Sequence, residues 1–183
     1  MKIKNYFALI LIGFLICVGL IGCSMNHMQA GKVTGEPNDK LKVIVSILPQ
    51  ADLVTMIGGE KVDITVIIPP GASPDSFEPS TGNLRNVSKA DLYIKVGNLP
   101  FEEAWTERII SANKDMPIVD TSSGIEIIDH DPHIWLSPRL AKKQVETICH
   151  ALIKVDEENK GYYLANLDQA LAKLENIDAQ IRS

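Results

Sequence analysis

From Leu41 onward, apolar and polar positions follow two rhythms in turn. Lys42 to Leu48 is a β-branched run and predicts a strand. Gln50 to Ile57 repeats its apolar residues at helical spacing, and Gly58-Gly59 supplies the residue type that ends helices. Val62 to Ile68, almost unbroken Val, Ile and Thr, predicts a second strand, and residues 69 to 80 a loop. Asn83 to Ala90 reads as a short helix and Asp91 to Val96 as a third strand. Phe101 to Ala112 places Phe101, Ala104, Trp105 and Ile109 on one helical stripe. Pro117 to Asp120 predicts a short fourth strand and Ile125 to Ile128 a fifth. Pro138 to Val155 is a helix opened by proline, where a missing N–H costs nothing. Asp156 is expected to cap a long last helix, with Leu164, Leu167, Leu171, Leu174 and Ile177 as its stripe.

Strands alternating with helices predict an α/β fold, a parallel sheet flanked by helices. In such sheets ligands bind beyond the carboxyl ends of the strands. Two polar loops follow strands, Pro69 to Ser80 and Asp129 to Ser137, and both can converge at that edge.

The first 39 residues follow neither rhythm. Lys2 and Lys4 precede an almost wholly apolar run from Tyr6 to Ile21, which ends in Leu20-Ile21-Gly22-Cys23. That is the layout of an export signal, and the run is short for a spanning helix. The expected division is residues 1–22 signal, 23–39 flexible tether, 40–155 α/β lobe and 156–183 long helix. The tether is polar, contains Gly and Pro, and carries His27 without partners.

Cysteine usage and charge narrow the chemistry. Cys17 lies in the signal and Cys23 at its end, so Cys149 alone remains, in an apolar helical pattern that suits a small buried side chain. Neither a disulfide framework nor a cysteine-based zinc finger is available. Losing Lys2 and Lys4 reduces 18 basic residues to 16 against 23 acidic ones, a formal charge of −7. An acidic exported domain does not suit nucleic acid, which selects basic patches.

What stands out is Asp131-Pro132-His133-Ile134-Trp135-Leu136-Ser137-Pro138. Two prolines keep it from being helix interior or central strand. Trp135 and Leu136 can anchor it in a core while His133 turns to a cleft. An imidazole on a pinned loop suits zinc and similar ions. A plain polar surface loop has the same composition.

Three stretches resemble one family, the metal-binding lipoproteins of ABC importers for zinc and manganese (cluster 9 solute-binding proteins). Pro69-Pro70-Gly71-Ala72-Ser73-Pro74-Asp75-Ser76-Phe77-Glu78-Pro79 resembles the family's first metal loop. Asp91 to Asn98 resembles its following strand and turn, and Asp131 to Pro138 its second metal loop. Tyr162-Tyr163 and the leucine stripe resemble the helix that bridges two lobes. Leu20-Ile21-Gly22-Cys23 is similar to a lipobox, which implies lipid on Cys23 and a place on the outer face of the membrane, or in the periplasm.

The resemblance implies an N-terminal lobe of a periplasmic-binding-protein-like fold that captures Zn²⁺ or Mn²⁺ for an ABC permease. It implies His133 as a ligand. Glu78 and Ser76 are candidates to orient a ligand, Glu78 being equally a turn residue before Pro79, and His130 is a spare ligand, a scavenger near the entrance or a solvated loop residue. Two departures matter. The position at which the family carries a first-loop histidine is Asp75 here. Asp75 can bind metal through oxygen, with a shift towards harder ions such as Mn²⁺, or it can cap a turn after Pro74. The chain also ends within the bridging helix, as in a fragment, a split gene or an early stop, so a second lobe with further ligands is expected elsewhere, a separately encoded one among the options. Two other classes compete: a metallohydrolase, and a surface lipoprotein without high-affinity metal binding. No His-Glu-x-x-His helix, Gly-x-Ser-x-Gly elbow or phosphate-cradling loop supports an enzyme.

Overall fold

The computed structural model describes residues 40–183. The signal, Cys23 and the tether with His27 lie outside the described residues. Four strands, β1 (Leu41–Val45), β2 (Val62–Val66), β3 (Leu92–Lys95) and β4 (Ile118–Asp120), form one parallel sheet in the order β2-β1-β3-β4. The helices are α1 (Leu48–Gly58), α2 (Thr81–Val87), α3 (Pro100–Ala112), α4 (Pro138–Val155) and α5 (Lys160–Arg182).

The two-residue period of a strand explains the two cores. On one face, Val43 pairs with Leu92 and Val45 with Ile94. There they pack with Leu53, Val54 and Ile57 of α1, Val145, Ile148 and Leu152 of α4, and Tyr163 and Leu167 of α5. On the other face, Ile44 pairs with Tyr93 and joins Val87 of α2 with Phe101 and Ile109 of α3. Both faces of the central strands are therefore buried, which is why their sequences are continuous rather than alternating.

Helix ends follow local chemistry. Gly59 closes α1 at φ +50°, a conformation that suits glycine. Ser80 and Asn83 form a reciprocal capping box that starts α2 two residues earlier than the apolar pattern predicts. Pro100 and Pro138 each open a helix at its first position.

Three expectations need correction. Ile125 to Ile128 is not a strand. Gly124, at φ +75°, turns the chain, and the Ile125 N–H donates to the Ser122 carbonyl at 2.8 Å. Ile125 tucks into the core while Ile128 stays 72% exposed, so β4 remains the sheet edge. Asp156 does not cap the last helix by a side-chain bond to its backbone. Its carboxylate accepts from Asn159 Nδ2 at 2.8 Å and from the Tyr163 hydroxyl at 2.5 Å, across a short 3₁₀ turn (Glu157–Asn159). The buried face of α5 is Tyr163, Leu167, Ala170 and Leu174, and Leu164 lies outside it. Leu167 and Leu174 are thus covered by this lobe's own α1 and α4. Among the described residues, no helix is long and apolar enough to cross a membrane.

Candidate metal centre

The loops that leave the carboxyl ends of β1, β2 and β3 meet the second proline-bracketed loop around a cleft of about 330 Å³. Ile47 to Pro49 follow β1, Ile68 to Asp75 follow β2, and Leu99 and Pro100 follow β3. Pro132, His133 and Trp135 complete the lining. Asp75 and His133 line this one cleft. The walls are otherwise mainly proline and aliphatic, so these two side chains are its titratable groups.

His133 is held at three points. Its backbone N–H donates to Asp131 Oδ1 at 3.0 Å, and its ring Nδ1 lies 2.6 Å from the same oxygen. The ring leans on Trp135, with centroids 5.1 Å apart. The His133 backbone N–H, and then its ring, hold the Asp131 carboxyl below the usual carboxylate range. With Nδ1 directed to Asp131, Nε2 is the ring nitrogen left outside that contact, and a carboxylate so placed fixes the tautomer of an imidazole.

The loop's anchors differ from expectation. Ile134 is buried, and Trp135 packs against both cores, but Leu136 is 71% exposed. The one-turn 3₁₀ helix Ile134–Leu136 rotates Leu136 outward and Ile134 inward. In the first loop, the turn after Pro74 is not capped by Asp75. Ser73 Oγ accepts the Asp75 N–H instead, at 3.4 Å, and the Asp75 side chain lines the cleft.

The other predicted residues are not brought in. Ser76 and Glu78 are exposed and absent from the cleft lining. His130 is exposed, and it and Asp129 both adopt positive φ, at 58° and 51°. That pair reverses the chain ahead of Asp131, whose N–H returns to the Ile128 carbonyl at 2.9 Å. His150 is exposed on α4. Cys149 is buried, which raises its thiol pKa, so it behaves as a small apolar side chain. Among the described residues, no group of three or more His, Cys, Asp or Glu side chains is close enough together to hold a metal.

Beneath the cleft lies a polar layer that the sequence pattern does not reveal. Ser46, Gln50, Glu102, Thr121 and Gln144 are all buried. Thr121 Oγ1 receives Gln50 Nε2 at 3.0 Å and Gln144 Nε2 at 3.1 Å, and itself donates to the Lys95 carbonyl at 3.0 Å. Glu102 accepts the N–H of Val96 and of Gly97, each at 2.7 Å, and the Ser46 hydroxyl. The available signal was Pro100 at the first helical position with an acid two residues on, a place where carboxylates reach free amides. The expected stripe through Ala104 obscured it, because Ala104 is exposed and Glu102 buried.

Burial pushes the Glu102 carboxyl above its usual range, against the opposing pull of Ser46, Gly97 and Val96. As pH rises past the ordinary carboxylate range, the unfolded chain therefore loses this proton before the native state does. Stability then falls with rising pH until native Glu102 also ionises. Urea denaturation across that range is expected to show this decline, and Glu102→Gln to flatten it. An unchanged slope in the variant would remove Glu102 as its source.

A parallel α/β lobe with an oriented imidazole and a carboxylate in a cleft at the strands' carboxyl edge is the architecture of a solute-binding lobe. Residues 43–183 match the profile of zinc-uptake complex component A, periplasmic, and the chain belongs to that family. It is 30% identical to the high-affinity zinc uptake system protein ZnuA of Bacillus subtilis (strain 168), over 91% of this chain and 58% of that protein. It is 29% identical to the manganese-binding lipoprotein MntA of Halalkalibacterium halodurans, over 91% of this chain and 56% of that one. A zinc-bound ZnuA mutant lacking residues 138–173 of its own chain superposes with a TM-score of 0.75 at 36% identity, covering 78% of this chain and 57% of the other. The chain thus spans less than two thirds of these relatives' length.

Proposed function

We propose that this chain is the metal-capturing lobe of an extracytoplasmic solute-binding protein that delivers a divalent transition metal, zinc first and manganese next, to an ABC permease. The observation that carries the reading is His133, its Nδ1 fixed by Asp131, facing the same cleft as Asp75. His133 Nε2 and an Asp75 oxygen are the proposed ligands. A tetrahedral closed site needs two more donors, and a second lobe, encoded apart from this chain or beyond it, supplies them. The metal is cargo and is not turned over, so the protein is not an enzyme. Cys23 is the proposed lipid anchor holding the lobe at the outer face of the membrane.

The proposal is tested by calorimetric titration of the chain with Zn²⁺ and Mn²⁺. One ion per chain is expected, at an affinity well short of nanomolar and falling with acidification, because a protonated imidazole cannot ligate. Asp75→His is expected to raise zinc affinity relative to manganese, since imidazole nitrogen suits zinc better than a carboxylate does. A nanomolar tetrahedral zinc complex formed by the monomeric chain would show that the ligands are misassigned.

A further inference from the structure

Glu102 touches no cleft-lining atom that would meet a metal, yet it joins the elements that form the cleft. Its two carboxyl oxygens hold the end of β3 through Val96 and Gly97 and the end of β1 through Ser46. The backbone it pins continues into Asn98, Leu99 and Pro100, and the last two line the cleft. Asn98 Nδ2 donates to the Asp131 carbonyl at 3.4 Å, and Asp131 in turn fixes His133. The Asn98 Oδ1 is buried without a partner among the described residues. The 3.4 Å contact to Asp131 is thus this amide's one side-chain hydrogen bond among the described residues, and the turn that carries Asn98 sets where the amide sits.

We infer that Glu102 is a positioning residue for the metal site: by fixing the Val96–Pro100 turn, it keeps Asn98 on the Asp131 carbonyl and so sets the orientation of the His133 ring. The inference rests on the reading of His133 as a ligand. Glu102→Gln keeps the shape but places an amide N–H against one of the backbone N–H groups that the carboxyl now receives. The turn then loses one of its two anchors, and the effect is transmitted through Asn98. Asn98→Ala cuts the same path further on, without touching the buried layer.

Two measurements on the full chain test this. The first is the ¹⁵N signature of the His133 ring at mildly alkaline pH, assigned by its loss in His133→Ala. The second is Zn²⁺ affinity by competition with a chromogenic chelator. Wild type is expected to show the Nδ1–H tautomer that faces Asp131. Glu102→Gln and Asn98→Ala are each expected to shift the ring towards Nε2–H and to weaken zinc binding about tenfold, the low end for groups that orient a ligand. Should Glu102→Gln fail to fold, Glu102→Asp, which withdraws the carboxylate from Val96 and Gly97 by one methylene, takes its place, and a shift in Asn98→Ala alone also overturns the inference. An unchanged tautomer with zinc affinity within twofold of wild type in the folded variants overturns the inference. So does a shift in Glu102→Gln alone, because the path through Asn98 would then be wrong. If His133→Ala leaves zinc binding intact, the ligand reading fails, and the tautomer measurement still judges the positioning role by itself.

Discussion

Replacing His133 with alanine is expected to weaken zinc binding by the chain at least about 100-fold. Removing a group that merely orients a metal ligand costs about 10–100-fold, so removing the ligand itself costs no less. The fold should survive, because the His133 side chain is 55% exposed and the loop is anchored by Ile134 and Trp135 rather than by the ring. Calorimetry with Zn²⁺, alongside a urea denaturation curve, separates the two effects. Asp131→Ala should give a smaller loss, since Nε2 stays available but the tautomer is no longer fixed. Zinc affinity retained in His133→Ala with the fold intact would remove this residue from the site.

The largest loss of stability is expected from Gly97→Ala. Gly97 sits at φ +121°, where side chains other than glycine's are strained. An added Cβ would also lie 2.1 Å from Asp120 Oδ1 and 2.1 Å from Ser122 Oγ. Those two groups are not free to swing away, because Asp120 Oδ1 accepts both the Ser122 N–H at 2.8 Å and its hydroxyl at 2.7 Å. Backbone strain of about 1–3 kcal/mol and overpacking of about 1–3 kcal/mol together give about 2–6 kcal/mol. That is a large share of the roughly 5–15 kcal/mol that holds a domain folded. Gly71→Ala is the control. It has φ +87° but nothing within 4 Å of a Cβ, so it should lose only the backbone part. Equal losses in the two variants would show that the contact with Asp120 and Ser122 carries no weight.

The elements were largely legible because burial on both faces leaves a strong pattern. Val43–Val45 of β1 and Leu92–Ile94 of β3 are continuous apolar runs, β2 is largely Val, Ile and Thr, and α4 begins and ends where Pro138 and Val155 indicate. Strand ends were read one to three residues too far, although Ile67 and Ile68 still donate to the Val45 and Ser46 carbonyls. Ile125 to Ile128 misled for a physical reason. One buried isoleucine in a turn and one exposed isoleucine beside it have the same composition as a short strand. The stripe of α5 misled likewise, since Leu164 and Leu167 differ in exposure only through what packs against α5.

The sequence by itself determined the alternation of strands and helices, the two post-strand loops and the proline-bracketed imidazole at His133. These are local properties, written in spacing and residue type. Tertiary structure alone decided that Asp75 and His133 share one cleft, because their loops follow β2 and β4, which lie far apart in the chain and join one parallel sheet only through β1 and β3. It also decided that Ser76, Glu78 and His130 stay outside. The partners of Glu102 were likewise decided by the tertiary structure. A buried carboxylate gives no periodic signal, and what it holds, the ends of β1 and β3, becomes adjacent only once the sheet has formed.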